Sequence, residues 1–177
     1  MRIISGQYKG RRITAPKKLP VRPTTDLAKE SLFNILNNHY YFDEINVLDL
    51  FSGTGNISYE FASRGVEDII AVDADHGCVK FIEKTSEEFD MPITAMKSDV
   101  LKYLDRTNNK FTIIFADPPY NFSVEDFTNI VQAIKNNGLL SENGLLIVEH
   151  SKHTDLSGLD GFDNSRQYGG SVFSFFK

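Results

Sequence analysis

The chain has 177 residues, 41% of them hydrophobic, and a net charge of −5 at pH 7, which suits one well-buried domain and leaves little room for a second. Cys78 is its only cysteine, which excludes an internal disulfide and a thiolate zinc cluster, and His39, His76, His150 and His153 lack metal-ligand spacing, so no metal is expected. The N-terminus has no signal-peptide core and no apolar run approaches the roughly 20 residues that span a bilayer, so the expectation is a cytoplasmic protein with no membrane partner.

Residues 1–25 come first and are set apart by charge. They hold seven basic side chains (Arg2, Lys9, Arg11, Arg12, Lys17, Lys18 and Arg22) and no acidic one, while the remainder holds 12 basic against 24 acidic. A segregated basic arm can supply phosphate contacts without the whole protein being basic, so Arg2, Lys9, Arg11, Arg12, Lys17 and Lys18 are candidate nucleic-acid-binding residues. Ile3, Ile4, Tyr8 and Ile13, broken by Gly6 and Gly10, predict a hairpin, and Ala15 to Thr25, with Pro16, Pro20 and Pro23, reads as a linker. The expected division is an arm and linker at 1–25 and a main domain at 26–177.

The main domain opens with a helix predicted at about Asp26 to Asn38, then a strand at Asn46–Leu50. The strand Val47-Leu-Asp-Leu-Phe51 runs into Ser52-Gly53-Thr54-Gly55 and a helix from Asn56 to Arg64. Glycines there let a ligand approach the backbone, and the first N–H groups of the helix favour an anionic group. A nicotinamide dinucleotide fingerprint needs glycine three positions after Gly55, where this chain has Ser58, and a Walker lysine is missing. The next strand, Asp68–Val72, ends in Asp73, placed with Ala74 to hold the ribose hydroxyls of a nucleoside cofactor. After a helix at about His76 to Phe89 and a strand at Ile93–Lys97, Asp99 and Val100 are placed to receive an adenine.

The strand Thr112–Ala116 runs into Asp117-Pro118-Pro119-Tyr120, the most informative segment. A nucleobase amine is a poor nucleophile because its lone pair is delocalised, so a site that methylates it must orient the nitrogen and accept its protons. Asp117 accepts one N–H, the Pro118 carbonyl accepts the other with its direction set by two proline φ angles, and Tyr120 stacks on the base. A helix follows at about Val124 to Asn137, then a strand at Leu145–Glu149 and a hairpin of Phe162–Tyr168 with Ser171–Phe176, whose Phe173, Phe175 and Phe176 are expected in the core. Alternating strands and helices imply a parallel α/β sheet with ligands outside the strand carboxyl ends, where Asp49, Asp73, Asp99 and Asp117 all fall.

In these motifs the chain resembles the class I S-adenosylmethionine-dependent methyltransferases. Met1-Arg-Ile-Ile-Ser-Gly6, Arg22-Pro-Thr-Thr-Asp26, Glu30 to Leu36, the glycine loop, Ser63-Arg-Gly65, Asp117 to Tyr120 and Tyr168 to Phe173 stand in the order seen in the RsmD family. Two positions depart from the pattern: Asp73 stands where many relatives have Glu, and Ser52 replaces a frequent Ala. The resemblance implies a Rossmann-like sheet, mostly parallel with an antiparallel C-terminal hairpin, and methylation of a guanine N2 amine in bacterial 16S ribosomal RNA. It also implies S-adenosylmethionine held by Asp49, Phe51, Gly53, Gly55, Asp73, Ala74, Asp99 and Val100, with Arg22, Thr24 and Thr25 closing over it. The expected partner is ribosomal RNA in the small subunit or its assembly intermediates, bound by a monomer. An adenine-N6 DNA methyltransferase and a nonenzymatic RNA-binding module remain the alternatives; 177 residues leave little space for the target-recognition region that the first usually needs.

Overall fold

A computed structural model describes all of residues 1–177. Seven strands, β1 (Asn46–Leu50), β2 (Asp68–Asp73), β3 (Ile93–Lys97), β4 (Phe111–Ala116), β5 (Leu140–Ser151), β6 (Phe162–Tyr168) and β7 (Ser171–Phe176), form one sheet in the order β3-β2-β1-β4-β5-β7-β6. The first five are mutually parallel, and β7 inserts antiparallel between β5 and β6, as the resemblance implied. The helices are α1 (Asp26–Asn37), α2 (Asn56–Ser63), α3 (His76–Glu88), α4 (Val100–Arg106) and α5 (Val124–Asn136).

Alternation along each strand divides the core into two layers. Val47, Ile113, Phe115, Ile147, Phe173 and Phe175 pack toward α1, α2 and α3, while Leu48, Ile114, Leu146, Val148 and Phe176 pack toward α4 and α5. The three C-terminal phenylalanines are therefore core, as expected. β5 begins five residues earlier than predicted, because Leu140 pairs with Phe111 across a register shift before regular pairing resumes at Leu145 with Ile113.

The N-terminal segment pairs with itself through a single bridge, Arg2 to Arg12, in place of two predicted strands. It docks onto the domain. Ile3 and Ile13 are buried in the first core layer, and the Glu60 carboxylate of α2 accepts the amides of Ile4 and Ser5 at 2.9 and 3.1 Å. Gly6 is required where it lies, since its φ is +88° and an added Cβ would fall 1.9 Å from the Ser63 carbonyl oxygen. Lys29 of α1 is wholly buried, 3.6 Å from Glu60, and donates to the Arg2 carbonyl and to Asn56 Oδ1. A buried cation is tolerated because each of these acceptors compensates part of its lost hydration.

Candidate functional site

A cavity of about 720 Å³ opens at the carboxyl ends of β1, β2, β3 and β4, large enough for a nucleoside cofactor. Its walls come from the strap Leu19–Thr24, the loop after β1 with the start of α2, the β2 end with Cys78 of α3, the start of α4 and the segment after β4.

The loop after β1 turns through positive φ at Phe51 (56°), Gly53 (54°) and Gly55 (89°). Gly55 is the N-cap of α2 and has no side chain to cap the helix, so the amides of its first turn lie beside the cavity, the Ser58 amide next to the Asp49 carboxylate. A Cβ at Gly55 would meet the Tyr59 ring at 2.8 Å, so this glycine shapes the turn from behind and does not line the cavity. Ser52, on the cavity wall, has a buried hydroxyl without a hydrogen-bond partner, a polar atom available to a ligand.

The acidic residues sit where strand order puts them. Asp73, at the end of β2, accepts the Gly53 amide through Oδ2 at 2.9 Å and the Asp75 amide through Oδ1 at 2.8 Å, which fixes the carboxylate while leaving lone pairs for a diol. Burial raises its pKa against these two backbone bonds. Asp49 is 2% exposed and accepts the Ser58 hydroxyl at 2.6 Å; burial pushes its pKa up to about 7. Asp99 caps α4 by accepting the Lys102 amide at 3.0 Å, with Val100 beside it on the wall. Several carboxylates around one cavity favour a cationic guest.

Asp117 follows Ala116 at the end of β4, and its pKa is raised by burial first and then by the Glu149 and Asp49 carboxylates, with Arg22 opposing. Pro118 and Tyr120 complete this wall, and the Arg22 guanidinium carbon lies 4.4 Å from the Tyr120 ring centroid. Thr24 lines the cavity and donates its hydroxyl to Glu149 at 2.6 Å, and its carbonyl accepts the Asn56 side-chain amide at 3.2 Å.

The structure therefore brings Arg22, Thr24, Asp49, Phe51, Gly53, Asp73, Ala74, Asp99, Val100, Asp117, Pro118 and Tyr120 to one cavity. Thr25 is a correction: its hydroxyl oxygen caps α1, accepting the Ala28 amide at 3.2 Å, and the residue does not line the cavity. Among the arm residues, Arg2 pairs with Asp26 at 3.2 Å and Arg11 stacks on Phe89 at 4.8 Å, while Lys9, Arg12, Lys17 and Lys18 are exposed. Sequence reasoning missed Glu149, although it stands at the end of a predicted strand as the four aspartates do. Asn56 and Cys78 were missed too. Burial pushes the Cys78 thiol up to about 12, which leaves it a wall residue and no nucleophile. No group of three or more His, Cys, Asp or Glu side chains is arranged to hold a metal ion, and no helix is long and apolar enough to cross a membrane.

The cavity, its acidic strand ends and the antiparallel last strand pair define a class I S-adenosylmethionine-dependent methyltransferase. The family described as conserved hypothetical protein 95 matches over residues 1–177. Ribosomal RNA small subunit methyltransferase D of Buchnera aphidicola subsp. Baizongia pistaciae is 31% identical over 150 residues, 84% of this chain and 75% of the relative. The chain belongs to the RsmD family of ribosomal RNA methyltransferases. The solved structure of yhhF from Escherichia coli superposes with a TM-score of 0.87 at 22% identity, covering 99% of this chain and 96% of that one. That of the Thermus thermophilus 16S rRNA N2 G1207 methyltransferase RsmC, in complex with AdoMet and guanosine, gives 0.69 at 22% identity over 90% of this chain and 45% of that one.

Proposed function

We propose that this protein methylates the exocyclic N2 amine of a guanine in small-subunit ribosomal RNA, acting in the cytoplasm on the subunit or its assembly intermediates. The observation that carries the reading is the placement of Asp117, Pro118 and Tyr120 on the wall of the same cavity as Asp49, Asp73 and Asp99. Donor and acceptor sites thus share one space.

The residues fit S-adenosylmethionine group by group. The first amides of α2 and the Ser52 hydroxyl suit its carboxylate, Asp49 its ammonium, Asp73 its ribose diol and Asp99 with Val100 its adenine. Bound there it supplies an electrophilic methyl group, whose C–S bonding pair stays on sulfur as the amine lone pair forms the new C–N bond. Asp117 and the Pro118 carbonyl orient the two amine hydrogens, Tyr120 supports the base after it leaves its stack, and Asp117 takes the proton that nitrogen loses. A carboxylate whose pKa is raised by burial is a better proton acceptor than a solvated one.

The test is transfer of a labelled methyl group from S-adenosylmethionine to small-subunit RNA, to assembled subunits and to duplex DNA, with the product nucleoside identified. N2-methylguanosine is the expected product. N6-methyladenine in DNA would replace this reading with the alternative, and binding of RNA without any transfer would leave only a binding module.

A further inference from the structure

The segment Asp117–Tyr120 is the shared wall of two cavities. One is the large cofactor cavity; the other, behind it, has about 10 Å³ of space, room for a single water, and is also lined by Glu149 and His150. Glu149 reaches this place by strand register: β4 and β5 are parallel with Ala116 opposite Val148, so Asp117, the first residue beyond β4, and Glu149, the next residue of β5, both follow this pair, and their carboxylates lie close enough to interact. Glu149 is 6% exposed and its Oε2 accepts the Thr24 hydroxyl at 2.6 Å, which orients the carboxylate from the strap side.

We infer that Glu149 is the residue that selects guanine, by accepting the N1–H of the target base while Asp117 and the Pro118 carbonyl hold the adjacent N2 amine. The inference rests on the guanine reading above and deepens it. Guanine presents N–H donors at two neighbouring positions of its Watson–Crick edge, and two neighbouring carboxylates offer matching acceptors. Adenine presents its amine beside N1, a lone pair that would face the Glu149 carboxylate. The space beside Glu149 is too small for a base, so the base lies across its mouth and only its edge reaches the carboxylate. A site that buries a polar group for a particular hydrogen bond rejects analogues that leave that group unpaired.

The decisive comparison replaces the methylated guanine of an RNA substrate with 2-aminopurine, which keeps the amine but has a bare N1 and no N1–H. Wild-type protein should show a kcat/KM at least about a hundredfold lower on the 2-aminopurine RNA. In Glu149→Gln, whose amide can donate to a bare N1, that preference should shrink about tenfold or more while S-adenosylmethionine affinity, read by calorimetry, stays at the wild-type value. Competition binding without cofactor, followed by 2-aminopurine fluorescence, should show the same loss of preference for the guanine RNA. A role in packing alone would lower both substrates in proportion and leave their ratio unchanged, which would overturn the assignment. Wild-type protein that uses 2-aminopurine as well as guanine would overturn it without any variant, so a Glu149→Gln protein that fails to fold does not protect it. Transfer to N2 of guanine with no such discrimination removes Glu149 alone; transfer to adenine N6 removes the guanine reading with it.

Discussion

The guanidinium carbon of Arg22 lies 4.4 Å from the ring centroid of Tyr120, so the strap and the segment after β4 meet across the mouth of the large cavity. Arg22 comes from the chain before the first helix and Tyr120 from the end of β4, yet they act on one face. Tyr120 is 56% exposed, so its ring remains open to a further planar partner. Replacing Tyr120 with Ala should lower kcat/KM for RNA by about fivefold to a hundredfold, the range of one lost base-stacking contact of roughly 1 to 3 kcal/mol. Tyr120→Phe should stay near wild type, since the ring and not the hydroxyl carries the contact; a Phe variant as weak as Ala would assign the role to the hydroxyl.

Asp117→Ala should leave S-adenosylmethionine binding near normal and cut turnover by about a hundredfold or more, as expected for one oriented acid/base group. The pH profile adds a sign. Burial, Glu149 and Asp49 raise the Asp117 pKa and Arg22 opposes them, and the base form is the ionised one. Turnover should therefore rise with pH through a pKa above the ordinary carboxylate range; a profile flat from pH 5 upward would mean that Asp117 is already ionised at the start of that range.

Asp49 makes a stability prediction. Its folded pKa of about 7 exceeds the 3.8 of an unperturbed aspartate, so between those pH values the unfolded chain ionises while the folded one keeps its proton. Folding stability then falls as pH rises through this window and levels off above about 7, an effect of at most about 4 kcal/mol. Asp49→Asn should be near neutral at pH 4 and stabilising at pH 8, seen as a Tm gain that grows with pH. The same variant should bind S-adenosylmethionine more weakly, because an ammonium group loses its carboxylate. An equal Tm difference at both pH values would refute the buried, proton-holding state.

Removing one partner of the Lys29–Glu60 pair strands the other in the core. Lys29→Ala should cost about 3 to 5 kcal/mol in urea unfolding. In both variants Glu60 keeps Arg64 at 2.9 Å and the Ile4 and Ser5 amides, and Lys29→Met, which drops the charge but keeps the stem, should cost less by the packing it retains. Equal losses for the two variants would make the lost charge, and not packing, the source.

Replacing Arg11, Arg12, Lys17 and Lys18 together with Ala should weaken RNA binding and flatten its salt dependence. Each lost phosphate contact removes about 0.7 to 0.9 from the log–log slope. Because Arg11 also stacks on Phe89, the triple variant that retains it separates lost phosphate contacts from a loosened arm. An unchanged slope would place RNA recognition on another surface.

Much of this was legible in sequence because strand-end aspartates and a glycine loop keep their meaning locally. The positions of Asp49, Asp73 and Asp117 needed only period-two alternation and a turn. What escaped depends on distant partners. Glu149 was passed over because the sequence alone did not show that β5 lies next to β4, which is what makes this carboxylate a neighbour of Asp117. Thr24 and Thr25 are both placed at the cofactor by the resemblance alone, and the helix start separates the two: Thr24 turns to Glu149, and Thr25 to its own helix. The arm's charge was readable, but its docking was not, since Lys29 and Glu60 look like ordinary surface residues until α1 and α2 are brought together.

That docking bears on how the molecule can be dissected. A shortened protein beginning at the first helix would retain every strand-end aspartate and look like a minimal catalytic unit. It would nonetheless uncover the apolar surface under Ile3 and Ile13 and leave Glu60 without two of its donors, while Lys29 would lose the Arg2 carbonyl. Thr24 would be lost as well, and with it the acceptor of the Asn56 side chain and the donor to Glu149, so the damage would reach the wall formed by Asp117 to Tyr120. The basic segment is in this sense a foundation as well as a handle, and trimming experiments meant to isolate RNA binding would disturb chemistry first.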